Sequence, residues 1–294
     1  MQLEKLEPAH LLPQKLYRGL LMLTCAWAGE RVAEGSLLIK VWDVPNATKQ
    51  PLIWCGGPNE MPALLSVFGA ERTIYGLRGT YEFVEPTNEV ICNLGQYYAN
   101  EIVRSVPAAP YLIAGNCAAA YIAVELAEIL TQQGHEVGFL GLIERDVTEQ
   151  SMSLKLVRKV YSKIDRLGTI TTDTYNAAHN QSLGLRAVKL AKHLALKLNI
   201  AYKESISDPR AFIRYQSESH DKLYQLKPYN KKISLIFVSW GVFGFYRFNF
   251  FQKYWRKIAP SGITVDIVKG FSHAHPPWLK IIECLHRRIL DAGL

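Results

Sequence analysis

A cysteine set between small residues at the end of an apolar run carries the clearest chemistry in this chain. Residues 110–144 read PYLIAGNCAAAYIAVELAEILTQQGHEVGFLGLIE. Tyr111–Ala114 predicts a strand, Gly115-Asn116-Cys117-Ala118-Ala119 a tight turn, Ala118–Gln133 a helix, and Val137–Ile143 a second buried strand. A strand that turns sharply into a helix holds the side chain at the turn up for reaction. It needs small neighbours because the backbone there is strained and crowded. Gly115 fills the first small position and Ala119 the second, where a left-handed backbone would be costly. Cys117 at the turn reads as a nucleophile for acyl groups, since a thiolate attacks a carbonyl carbon readily. The competing reading is a buried core cysteine.

Such a nucleophile needs a base, an acid that orients the base, and N–H groups for the developing oxyanion. The segment Lys269–Pro277, KGFSHAHPP, offers two histidines. His273 is favoured because it lies just beyond Gly270 and leaves a short loop before the last helix; His275 is the alternative. The stretch after Ile233–Val238, SWGVFGFYRFNFFQKYW, holds no carboxylate. The acid is therefore expected after Val137–Ile143, as Glu144, with Asp146 as the alternative. The N–H of Ala118, next to the nucleophile, is one expected oxyanion donor. Gly57, after the Trp54-Cys55-Gly56 strand end, is the other, and Pro58 cannot donate. Cys55 is a weak rival nucleophile, and His135, His179 and His193 read as structural or exposed.

These residues must be positioned by a mainly parallel α/β sheet. Leu37–Trp42, Pro51–Cys55, Arg72–Leu77, Ile233–Val238 and Ile263–Val268 are further strand candidates, and 60–69, 89–105 and Pro277–Leu290 helix candidates. Continuous apolar strands joined by helices imply a sheet covered on both faces. Residues 1–35 read as a helical extension whose face is Leu16, Leu20, Leu21 and Leu23. The core is expected at 36–146 and 229–294, interrupted by a helical lid at 147–228 with helical periodicity at 151–166 and 182–199. The lid aromatics Tyr161, Tyr175, Tyr202, Phe212 and Tyr215 could line an acyl pocket or simply pack.

The bulk properties narrow the classes. With 294 residues and 49% apolar content, the chain can bury a full core. Its five cysteines, at 25, 55, 92, 117 and 284, form no CxxC, so neither a structural zinc nor a disulfide framework is expected and no metal is assigned. The opening MQLEKLEPAHLLPQK does not read as a signal peptide, and Leu20–Ala28 is too short to span a membrane. A reducing, cytoplasmic setting is expected, with no membrane partner. The net charge is +8, and residues 231–294 carry ten Lys/Arg against three Asp/Glu. That balance fits either an ordinary basic surface or steering of an anionic partner, such as an acidic carrier protein or a phosphorylated cofactor arm. No aromatic-interleaved basic stripe points to nucleic acid.

Several runs in order, PLIWCGG (51–57), ERTIYGLRG (71–79), the cysteine turn, LKPYNKKISLIF (226–237) and the Trp255…Gly270…His273 ending, resemble the thioesterase domains of nonribosomal peptide and polyketide synthases. The resemblance covers roughly residues 50–146 and 225–290. It implies an α/β-hydrolase fold and a Cys-His-Glu (or Asp) triad in which Cys117 replaces the usual serine. In one subgroup an aspartate is common at the Glu144 strand end, and a histidine often stands where this chain has Cys55. The resemblance further implies that no cofactor is bound and that the substrate is an acyl thioester on the phosphopantetheine of an acyl or peptidyl carrier protein, or on CoA. Water or a small amine or alcohol accepts the acyl group. The chain carries no Asp-Ser-Leu attachment motif of its own. The departures at Cys117 and Cys55 favour acyl transfer or specialised release. A hydrolytic type II editing thioesterase and a noncatalytic interaction protein of the same fold are the alternatives.

Overall fold

Short apolar runs become the central strands of one sheet. The computed structural model describes residues 11–79, 83–84, 86–107, 110–143, 224, 226–239, 252–270 and 276–294. Its strands are β1 (Glu30–Arg31), β2 (Ile39–Trp42), β3 (Leu52–Cys55), β4 (Ile74–Leu77), β5 (Tyr111–Asn116), β6 (Val137–Ile143), β7 (Ile233–Ser239) and β8 (Ile263–Lys269). Among the described residues they join in the order β1-β2-β4-β3-β5-β6-β7-β8. β2 runs antiparallel to both of its neighbours. All pairings from β4 through β8 are parallel.

Side chains alternate between two apolar layers, as the two-residue repeat of a strand requires. On β3, Ile53 and Cys55 enter one core while Leu52 and Trp54 enter the other. On β5, Tyr111 and Ile113 divide from Leu112 and Ala114 in the same way. The first layer is closed by α1 (Gln14–Thr24), α3 (Asn88–Ser105) and α4 (Ala120–Gln132), through residues such as Leu20, Tyr98 and Ile122. The second is closed by α2 (Met61–Phe68) and α5 (Trp278–Asp291), through Leu64, Phe68, Ile281 and Leu285. With both faces covered, polar alternation along β3 and β5 has no use, which is why these strands read as unbroken apolar runs. This is the mainly parallel, two-sided α/β architecture expected from the sequence.

Three details depart from or sharpen the sequence expectation. The helix expected from Ala118 begins as a 3₁₀ turn over Cys117–Ala119 and becomes α-helical at Ala120. Within the stretch read as a helical extension, Glu30 and Arg31 instead pair with Lys40 and Ile39 as an edge strand. The expected lid falls outside the described residues except for 224 and 226–228. There the chain is tied to α4: buried Glu125 accepts hydrogen bonds from the Tyr224 hydroxyl at 2.8 Å and from Lys227 Nζ at 2.9 Å. The Tyr121 and Tyr224 rings pack at 4.9 Å. No helix among the described residues is long and apolar enough to cross a membrane.

Trp27 locks the amino-terminal segment onto the sheet at a glycine. A Cβ on Gly76 of β4 would lie 1.0 Å from Trp27 Cζ3, so the ring occupies the place of a side chain. Gly76→Ala should therefore destabilise by about 3 kcal/mol through overpacking. In a Trp27→Ala background the same change should cost under about 1 kcal/mol, because the clashing ring is gone. Denaturant unfolding of the two single variants and the double variant checks this; equal costs in both backgrounds would refute it.

Candidate active site

The strand order reverses between β3 and β5. The chain runs from β3 outward to β4, then returns to lay β5 on the other side of β3. Crevices in parallel sheets open at such a switch, at the carboxyl ends of the strands. Here those ends are level: Cys55 pairs in register with both Leu77 and Gly115, and Asn116 pairs with Ile143. Four chain segments thus converge, the loop after Cys55, the residues after Leu77, the turn after Asn116 and the end of β6.

Cys117 stands at the centre of this convergence in a left-handed conformation, with φ of 51°. Only Cys117 and Asn46 among the described non-glycine residues have positive φ. The sharp turn depends on close packing behind it. A Cβ on Gly115 would lie 2.7 Å from Ala123 Cβ and 2.8 Å from Ala120 Cα. Gly79, at the end of the neighbouring segment, abuts Ala119, whose Cα lies 3.5 Å from the place of a Gly79 Cβ. Ala119 itself has φ of −73°, so the feared left-handed cost at that alanine does not arise; the strain sits on the cysteine. Cys117 and Ala118 are partly exposed, whereas Ala119 is buried. Ala118 lies in the first helical turn, where N–H groups lack intrahelical acceptors and face outward.

Facing this turn is the loop Gly56–Glu60. Glu60 is 6% exposed. Its Oε2 accepts the Gly57 N–H at 3.0 Å and its Oε1 accepts from Asn116 Nδ2 at 2.8 Å. The Gly56 N–H is taken by the Leu77 carbonyl at 3.1 Å. Buried Arg78 donates from Nη1 to the Gly56 carbonyl at 3.2 Å. Tyr98, fully buried on α3, fixes the Arg78 backbone by donating its hydroxyl to the carbonyl at 2.9 Å and accepting from the N–H at 3.2 Å.

These observations revise one expectation. Gly57 was expected to present an open donor, yet its N–H is satisfied by Glu60; it reaches an oxyanion only if that carboxylate moves. Sequence reasoning passed over Glu60, Asn116 and Arg78. The available signal was the spacing Gly57-Pro58-Asn59-Glu60, a proline-led helical start with a glutamate three residues after its cap. Cys55 is fully buried, and desolvation pushes its thiol well above the ordinary thiol range, which is wrong for a nucleophile. His135 packs edge-on against Tyr111, at the opposite end of the sheet from Cys117. Of the proposed catalytic groups, His273, His275, Glu144 and Asp146 lie outside the described residues, as do His179 and His193. No His/Cys/Asp/Glu group among the described residues is arranged to hold a metal ion.

A mainly parallel sheet covered on both faces, with a strained residue on the strand-to-helix turn beside the switch point, defines the α/β-hydrolase class. Within it, this chain belongs to the thioesterase domain family, whose family model matches residues 72–271. Among solved structures, the NocB thioesterase domain, in covalent complex with a fluorophosphonate nocardicin G analogue, is similar with a TM-score of 0.50 and 15% identity, over 84% of this chain and 96% of that one. YbtT, a type II thioesterase from the yersiniabactin NRPS/PKS pathway, is similar with a TM-score of 0.50 and 17% identity, over 87% and 99%. A nonribosomal peptide synthetase, pngA of Aspergillus terreus, is 34% identical over 102 residues, 33% of this chain. The match spans 11% of that synthetase's length.

The strain at Cys117 can be measured apart from activity. Cys117→Gly should be more stable than Cys117→Ala by about 1 kcal/mol, since only glycine adopts the left-handed region without a Cβ penalty. Denaturant midpoints of the two variants decide the matter; an alanine variant more stable than the glycine one, as the freer unfolded glycine chain alone would give, would mean that the turn carries no strain.

Proposed function

We propose that the protein moves acyl groups from thioesters through an acyl-enzyme on Cys117. The left-handed conformation of Cys117, at the partly exposed turn beside the switch point, is the observation that carries this reading. His273 serves as the base and Glu144 orients it, with His275 the alternative base and Asp146 the alternative acid. The choice of Glu144 rests on sequence adjacency: it follows Ile143, the register partner of Asn116.

His273 takes the proton from Sγ, and the thiolate adds to the thioester carbonyl carbon. The negative oxygen is held by the Ala118 N–H, joined by the Gly57 N–H if Glu60 yields it. Collapse of the intermediate breaks the carbon–sulfur bond to the leaving thiol, which departs with the proton from His273. Water, an amine or a hydroxyl then attacks the Cys117 thioester, giving up its proton to His273, and the cysteine leaves as the thiol. No cofactor enters these steps.

The family and the charge support the substrate class. The thioester is carried on the phosphopantetheine of an acyl or peptidyl carrier protein, or on CoA. The synthetase context of the similar proteins supports a role in natural-product assembly, and the cysteine pattern a reducing, cytoplasmic setting. A net charge of +8 favours encounter with an acidic carrier. The cysteine favours acyl transfer or specialised release over plain hydrolytic editing, because a Cys-bound thioester keeps the activation of the incoming one. The helical segment expected at 147–228 is assigned the acyl pocket.

Intact-protein mass spectrometry after exposure to a panel of acyl-CoA and acyl-carrier thioesters tests this. The wild type should gain one acyl mass, and Cys117→Ala should gain none and lose turnover by about a thousandfold or more. Adding amines or alcohols should then discharge the adduct faster than water alone. Equal adducts on both proteins, or none on either across the panel, would overturn the assignment and favour a noncatalytic interaction protein.

A further inference from the structure

We propose that Glu60 is a positioning residue of this site, a single carboxylate that sets the turn carrying Cys117 at a fixed distance from the loop after β3. The inference rests on Cys117 as the nucleophile. Its two oxygens go to two different segments: Oε2 to the Gly57 N–H at 3.0 Å and Oε1 to Asn116 Nδ2 at 2.8 Å. Those segments, remote in sequence, flank the place where a thioester carbonyl must lie for Cys117 to attack it.

Three physical points favour a tie over incidental packing. First, Glu60 is almost fully buried, and a buried carboxylate must keep its hydrogen bonds because leaving them unmade costs far more than in water. Hydrogen bonds to a carboxylate are stronger than those between neutral groups, so this pair is hard to exchange. Second, Asn116 immediately precedes the residue with φ of 51°, and strained backbone persists only where its surroundings over-determine it. The Asn116 side chain is how Glu60 reaches that backbone. Third, an apolar side chain would fill the same space with a smaller desolvation penalty. What the carboxylate adds is a defined geometry between two loops. Arg78 lies beside it: a Cβ on Gly57 would stand 3.1 Å from both Arg78 Nη1 and Glu60 Oε2, so cation and anion border the same glycine.

Glu60 acts through Asn116 and Gly57 and touches no reacting atom in this arrangement. Its loss should therefore leave the thiol in place but misalign the loop around the carbonyl. The test compares two reactions of Cys117 in wild type, Glu60→Gln, Glu60→Ala and Asn116→Asp. Alkylation by iodoacetamide needs only the thiol, whereas acylation by octanoyl-CoA, or by whichever thioester the wild type accepts, needs the aligned site. Glu60→Ala should acylate about tenfold to a hundredfold more slowly. Its alkylation rate and half-saturating thioester concentration should stay within about threefold, since neither depends on loop alignment. Glu60→Gln, which can still accept from Gly57 while Asn116 turns its amide, should recover most of the loss. Asn116→Asp sets two carboxylates together, so its acylation rate relative to wild type should rise as pH falls from about 8 to about 6 and the pair takes up a shared proton.

Acylation of Glu60→Ala at the wild-type rate would overturn the inference. So would a faster rate, which would mean that the carboxylate blocks the Gly57 donor, or a parallel fall in both reactions with a lower melting temperature, which would mark Glu60 as merely structural. Failure of the wild type itself to acylate would instead refute Cys117 as nucleophile, and the inference with it.

Discussion

Close contact between β5 and α4 is the constraint on which the rest of the site depends. No side chain fits between the strand end and the first helical turn, since a Cβ on Gly115 would collide with Ala120 and Ala123. The chain can enter α4 that tightly only by reversing sharply, and the reversal places Cys117 at φ of 51°. One unfavourable residue conformation, about 1–2 kcal/mol for an L-residue, thus holds the cysteine up at the end of the sheet. A bulkier residue at 115, 119 or 120 would widen the turn and let the cysteine relax toward the core. The alanines of this segment are therefore as much a part of the site as the cysteine is.

Strain of this kind needs support, and the fold supplies it from several directions. Tyr98 on α3 fixes the backbone of Arg78, and Arg78 holds Gly56, so the helix layer under the sheet sets the position of the loop above it. Glu60 carries that order across to Asn116. Farther along α4, Glu125 draws in Tyr224 and Lys227, so the chain leading into β7 is anchored to the same helix that the turn at Cys117 begins. All three ties use buried polar groups with named partners, and each joins segments that are distant in sequence. The hydrophobic layers define the sheet; these polar bonds define the relative heights of its strand ends.

This division explains how much of the molecule was legible beforehand. Strands β3, β5 and β6 and helix α3 follow from local pattern alone, because burial on both faces leaves unbroken apolar runs and a half-buried helix leaves a 3.6-residue repeat; α4 is legible by its length and small, helix-favouring residues. The turn at Cys117 was legible because its small residues are contiguous. Glu60 was not. A glutamate in the run Pro58-Asn59-Glu60-Met61 looks like an ordinary exposed residue at a helix start, and only the return of β5 beside β3 buries it against Asn116. Gly57 is a milder case: the glutamate three residues on was a local sign that its N–H is claimed, but not that the same carboxylate also reaches Asn116. Trp27 on Gly76 belongs with them, since the glycine reads as a weakness in a strand until the distant ring that fills it is known.

The chemistry of sulfur gives the last step. With a serine at the turn, the acyl-enzyme would be an oxygen ester, lower in energy than the incoming thioester, and the first half-reaction would run downhill. In the proposed acyl-enzyme on Cys117 the acyl group passes from one thiol to another, so the two states are close in free energy and the exchange is readily reversible. The outcome is then set in the second half-reaction, by whichever acceptor reaches the carbonyl. An amine or hydroxyl held against the acyl-enzyme gains the large advantage of being positioned, while water competes only by abundance. For such an enzyme, precise placement of the loop around the carbonyl matters more than the power of the nucleophile. That places the energetic burden on the bonds that fix Gly56–Glu60 against Asn116, and gives a reason for a buried carboxylate to stand where an apolar residue would have been cheaper.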